Sequence, residues 1–204
     1  MSDGKIVVYL SEANLAVAYV KRSLKFGAGN KWDDAKKAYE VHHEWAEGVA
    51  MNMGYPRPLA KVAGLFMYVI GEARVIAMRM EDGAPPPMNG AHSGINRIRQ
   101  VANDSIKWGV GNCGEQSAIS FTELYNRGVR PLDYMWLTNR KHAFVVIGRK
   151  SDSGEDPSAW GDEAVICDPW NNDAYQLMPE MARSTLLAKM QCGCCDAKSQ
   201  FRID

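Results

Sequence analysis

Cys113 stands in the stretch Gly111-Asn112-Cys113-Gly114-Glu115-Gln116-Ser117, with glycines close on both sides and a helix-forming run just after. That is a setting for a thiolate nucleophile. A helix start presents N–H groups without intrahelical acceptors and favours negative charge, which predicts a lowered thiol pKa and a place for an oxyanion. Gly114 has no Cβ, so a substrate backbone can come close. A thiol nucleophile also needs a base and a group that orients the base. His142 opens the run His142-Ala143-Phe144-Val145-Val146-Ile147, and Asp168 closes the run Val165-Ile166-Cys167-Asp168. If those two runs pair as strands, the carboxylate lies beside the imidazole and fixes its tautomer. The chemistry expected is attack of Cys113 on an amide carbonyl through a thioester, with no cofactor required.

The elements that would hold these residues follow from periodicity and punctuation. The first half reads as helices. One is predicted from Ser11 to Phe26, with Leu15, Tyr19, Val20 and Leu24 on one face and Gly27 and Gly29 ending it. A second carries the stripe Trp32, Ala35, Tyr39, His42, Ala46, Val49 and Met53. A third is predicted from Arg57 to Met80, with Leu59, Val62, Phe66, Val69, Ala73 and Ile76 inward. The run Gly83–Pro87 then breaks the chain, and Ser93 caps a helix with Ile95, Ile98, Ala102 and Ile106. In the second half a helix is expected from Glu115 to Asn126. Strands are expected at Leu132–Thr138, His142–Ile147 and Ala164–Cys167, and a last helix at Pro179–Met190. The polar loop Gly148–Asp162 reads as solvated. The fold class expected is α+β, with a helical region 1–88 packed on a compact core 89–204 built around a small antiparallel sheet.

Taken together, Gly111-Asn112-Cys113 before a helix ending at Gly128, His142-Ala143-Phe144-Val145-Val146, and Val165-Ile166-Cys167-Asp168-Pro169-Trp170 resemble the transglutaminase-like branch of the papain-like thiol enzymes. In that family a G-x-C motif opens the core helix, an H-A-aromatic strand carries the base, and a D-P pair ends the next strand. The resemblance spans about Gly109 to Asn172. It implies Cys113 as nucleophile, His142 as base and Asp168 as orienting acid. Asn112 departs from the family's usual residue, so the oxyanion donors are sought in the Asn112 side chain and the Cys113 backbone N–H. Trp170 is a candidate groove wall. The compact cores of bacterial effector proteases and deamidases are similar in size. By analogy, a protein or peptide substrate is expected, with hydrolysis preferred over transfer to an amine.

Other residues with chemical potential carry less. His42, His43 and Glu44 lack the H-E-x-x-H spacing, and His92 has no evident partner. Cys192, Cys194 and Cys195 could offer ligands to zinc, but so tight a cluster reads better as a flexible reduced tail. Cys167 reads as structural, and Trp136 and Trp160 as core. No metal is expected. The 204 residues carry 46% hydrophobic and 24% charged residues with a formal net charge of zero. That balance suits a globular chain and gives no electrostatic reason to expect nucleic acid or an anionic membrane. The apolar stretch Leu59–Met80 is broken by Lys61, Glu72, Arg74 and Arg79, so no membrane insertion is expected. Met1–Tyr9 lacks the features of a signal peptide. The expectation is synthesis in a cytosol and, if the chain is exported, export without a cleavable signal.

Overall fold

The computed structural model describes residues 2–25, 27–28, 47–48, 50–69, 94–137, 142–190 and 197–204. The second predicted helix, Gly83–Pro87, His42, His43, Glu44, His92 and the cysteines at 192, 194 and 195 lie essentially outside them. The described elements are α1 (Ser2–Ser23), α2 (Arg57–Val69), α3 (Ile95–Trp108), α4 (Cys113–Asn126), β1 (Leu132–Leu137), β2 (His142–Ile147), β3 (Val165–Asp168), β4 (Asp173–Gln176), α5 (Ala182–Met190) and β5 (Ala197–Ile203), with short 3-10 turns at Pro157–Ala159 and Pro179–Met181. The fold class is α+β.

The chain divides into two compact units. One comprises Met1–Arg22, Met88–Asn103 and Cys113–Asp204, and the other Ser23–Pro87 and Asp104–Asn112. One division between them falls between Pro87 and Met88, while α1 groups with the second half of the chain. Its inward face is Ala13, Ala16, Val17 and Val20, all buried. Three contacts within this unit fasten the helix. Tyr9 donates to the Arg130 carbonyl at 2.9 Å, Arg127 donates to Glu12 through Nη2 at 3.1 Å, and the Cys167 thiol donates to the Ala13 carbonyl at 3.6 Å. The helix begins nine residues before the expected Ser11, which is exposed in its middle. Leu15, expected inward, is 45% exposed. Alanines made the true face hard to see, since they add little hydrophobic contrast while allowing close approach.

The sheet of this unit runs β4-β3-β2-β1-β5, and every neighbouring pair is antiparallel. Met135, Leu137, Phe144, Val146 and Ile166 pack in one buried cluster with Trp160, Leu186 and Met190. The alternate residues Tyr134, Ala143, Val145 and Cys167 turn to the other face and are also buried. Cover on both faces explains why β2 and β3 read as continuous apolar runs. Helix α4 packs on β2 and β1. Its Phe121 is fully buried, edge-on to Tyr134 at 6.3 Å and to Phe201 at 5.8 Å. Burying a side chain of that size contributes roughly 1.5–3 kcal/mol.

Two strands escaped sequence reasoning. β4 is short and polar at both ends, and β5, Ala197-Lys198-Ser199-Gln200-Phe201-Arg202-Ile203, mixes charge with apolar residues because it is an edge strand on β1. The loop Gly148–Asp162 is not solvated throughout, contrary to expectation. Trp160 is fully buried and Arg149 is 5% exposed. Arg149 reaches the buried carboxylate of Asp133 at 2.8 Å, and Asp133 also accepts from Ser199 at 2.8 Å and from Arg202 at 2.6 Å. A buried charge is tolerable when its oxygens are satisfied in this way. Gly148, at φ 77°, is required as glycine: a Cβ there would lie 2.4 Å from the Glu163 carbonyl oxygen and 2.8 Å from the Tyr9 ring.

In the other unit, α2 begins at Arg57 as expected, but its inward residue is Ala60. Leu59 and Val62 are 56% and 67% exposed. A parallel bridge joins Gly27 to Val110, and the Gly111 N–H donates to the Gly27 carbonyl at 3.0 Å.

Candidate active site

The three residues singled out for acyl transfer meet, and each sits at the end of an element. Cys113 is the first residue of α4 and is half-buried. His142 is the first residue of β2 and is 9% exposed, and Asp168 is the last residue of β3 and is 1% exposed. The strand register accounts for the last two. Val145 lies opposite Cys167, so continuing the ladder sets Asp168 opposite Phe144 and makes His142 its diagonal neighbour. His142 Nε2 lies 2.8 Å from Asp168 Oδ2. The Cys113 side chain is hydrogen-bonded to the same imidazole. With Nε2 held by the carboxylate, Nδ1 is the nitrogen left to the thiol.

Burial is the largest single influence on His142 and opposes its charged form. The hydrogen bonds to Asp168 and Cys113, together with the charges of both, outweigh it and raise the imidazole from 6.5 to about 9. His142 therefore carries a proton at neutral pH. A charged imidazolium is the counter-ion that a thiolate requires. Trp170 meets the His142 ring edge-on at 5.6 Å, and Phe144 stacks with it at 6.2 Å. Trp170, the candidate groove wall, thus lies against the His142 ring.

The start of α4 is pinned from the sheet. Tyr134 Oη donates to the Gly114 carbonyl at 2.9 Å. Burial first, then the nearby charges of Glu115 and Cys113, push the Tyr134 phenol well above its ordinary pKa, so it stays a donor. A Cβ at Gly114 would meet only the Tyr134 hydroxyl oxygen, at an ordinary 3.6 Å. The fold thus does not need glycine there. The first-turn N–H groups at Cys113 and Gly114 have no acceptor within their own helix and suit an oxyanion. Asn112, the other oxyanion candidate, is half-buried and belongs to the unit that closes with Asp104–Asn112.

Asn171 was missed by sequence reasoning. It donates from Nδ2 to Asp168 Oδ2 at 2.7 Å and from its backbone N–H to Oδ1 at 3.2 Å. The signal existed, since an aspartate followed by proline and, three residues on, by a backbone N–H is a side-chain-capped turn. Cys167 is a poor candidate for a thiolate. It is fully buried, and burial, against the lowering effect of Ser120, pushes its thiol up to about 12. Among the described residues no group of three or more histidines, cysteines, aspartates or glutamates could hold a metal ion, and no helix is long and apolar enough to cross a membrane. A scan against protein-family models and a search of curated proteins both find no match to this chain.

Proposed function

We propose that this chain is a cysteine-dependent amide hydrolase with a transglutaminase-like, papain-like core. Cys113 is the nucleophile, His142 its proton partner and Asp168 the acid that orients the imidazole. The observation that carries the reading is the continuous contact from the Cys113 thiol through His142 to Asp168, 2.8 Å from Nε2, at the start of a helix. The thiolate attacks the amide carbonyl, and the oxyanion is met by N–H groups at the start of α4. His142 then gives its proton to the leaving amine. Water, deprotonated by the now neutral imidazole, resolves the thioester.

The substrate class is a protein or peptide amide, cleaved at the main chain or deamidated at a glutamine side chain. Transfer to an amine is the alternative, and it would need a shield that keeps water from the thioester. The Gly148–Asp162 loop is a segment of the core that could have supplied one, and it is anchored elsewhere at both ends, through Arg149 to Asp133 and through Trp160 to the core, with its middle exposed. That favours water. The analogy in size and motif to bacterial effectors extends the proposal to a single host or rival protein as target. The test is peptide mass spectrometry of candidate protein targets incubated with the wild-type chain and with Cys113→Ala. New termini mean proteolysis, glutamine converted to glutamate means deamidation, and amine incorporation means transfer. Products that persist undiminished with Cys113→Ala would refute the reading.

A further inference from the structure

An aspartate carboxylate turns easily about its last bond, because the torsion well is broad and two-fold. A carboxylate held only by the imidazole it orients would transmit little direction to it. Asp168 is not held that way. Its Oδ2 accepts from His142 Nε2 at 2.8 Å and from Asn171 Nδ2 at 2.7 Å, while its Oδ1 accepts the Asn171 backbone N–H at 3.2 Å. With Asp168 1% exposed, these partners substitute for water on both oxygens.

Resting on the reading of Cys113, His142 and Asp168 as one catalytic unit, we propose that Asn171 is a positioning residue that clamps the Asp168 carboxylate so that Oδ2 stays aimed at Nε2 of His142. Its side chain acts on the acid, and only through the acid on the imidazole and the thiol. The turn that carries Asn171 does not depend on that side chain. It is closed by the Asn172 N–H on the Pro169 carbonyl at 3.1 Å, with Asn172 at φ 60°, a conformation asparagine tolerates. Asn171 itself is exposed. A residue needed only for the turn would leave the titration of His142 untouched, whereas a clamp would not. The charged groups that act on His142 are Asp168 from β3 and Cys113 from α4.

The experiment follows the His142 imidazole by NMR against pH in the full chain, as wild type, Asn171→Ala, Asn171→Gln and Asp168→Ala, alongside the rate of Cys113 alkylation by iodoacetamide. In Asn171→Ala the His142 titration should fall by about one pKa unit, a tenfold change in proton affinity. Alkylation near neutral pH should slow several-fold. Asp168→Ala should carry the fall further, and Asn171→Gln, which keeps the amide donor, should recover part of it. Should the alanine chain not fold, Asn171→Ser carries the same expectation. A His142 titration that is unmoved or raised in the folded variant overturns the clamp. If the shift occurs but wild-type Cys113 is alkylated no faster than a free thiol, the clamp stands and the thiol-hydrolase reading falls. If wild-type His142 titrates at its ordinary value, both fall.

Discussion

Which ring nitrogen Asp168 occupies determines what the imidazole can do. With Nε2 on the carboxylate and Nδ1 toward Cys113, proton transfer and orientation use opposite ends of one rigid ring. The raised pKa sets the pH range. His142 must hold its proton to serve the leaving amine, so kcat/KM should fall on the basic side with an apparent pKa of about 9. In His142→Gln that limb should vanish, turnover should drop about as far as in Cys113→Ala, and iodoacetamide labelling should rise only near the free-thiol value of about 8.5. Wild-type labelling that follows the same free-thiol curve would count against the ion pair. Gly114 makes a separate prediction. Alanine there gains up to about 1 kcal/mol of helix propensity and meets no clash. Gly114→Ala should therefore leave thermal stability equal or higher while raising KM, if substrate passes over the bare Cα. An unchanged KM would return Gly114 to a neutral role.

At the scale of elements, the proposed catalytic groups come from one helix start and two strand ends, and the strands are held in register by what lies deeper in the sheet. Asp133 on β1 gathers Arg149 from the loop after β2 and Ser199 and Arg202 from β5. Removing one member strands a buried charge. Asp133→Ala should cost about 3–5 kcal/mol in urea unfolding with little change in m, and pairing it with Arg149→Met should recover part of the loss. A cost within experimental error would mean that the pair closes a surface rather than a core. This ion pair also shows where sequence reasoning ran out. The helix start at Cys113, the strand at His142 and the strand end at Asp168 were legible because glycine punctuation and apolar runs are local signals. Asp133, Arg149 and Arg202 were not, since a charged residue in a strand or loop reads as solvated until its partner from far along the chain is known. The same holds for α1, whose buried face is largely alanine, and for β5, whose alternation is blurred by its position at the edge. Cys113, His142 and Asp168 were legible as residues, but the proposed Asn171 clamp depends on a turn geometry that sequence spacing only suggests.

At the scale of the whole molecule, the site couples to stability. The folded pKa of His142, about 9, lies above its ordinary 6.5, so folding favours the protonated form. Its contribution is fully present below about pH 6.5 and is lost as pH rises through about 9. At about 1.4 kcal/mol per pKa unit, the contribution is roughly 3–4 kcal/mol. The stability gap between wild type and His142→Gln should therefore be widest on the acid side and close by about pH 10; a gap independent of pH would show that His142 stabilises by packing alone.

The stretch between β2 and β3 has a further consequence. Ser151, Asp152, Gly154, Glu155 and Asp156 are exposed, while Arg149 on one side and Trp160 on the other are anchored in the interior. A protease nick in that stretch would leave Cys113 and His142 on one polypeptide and Asp168 on the other, with the β2–β3 ladder between them. Co-expressed as two fragments divided there, the chain should act as a split enzyme. The half that carries Cys113 and His142 would not alkylate quickly at Cys113 alone, and the recombined pair would regain the rate, so that thiol reactivity becomes a readout of strand pairing.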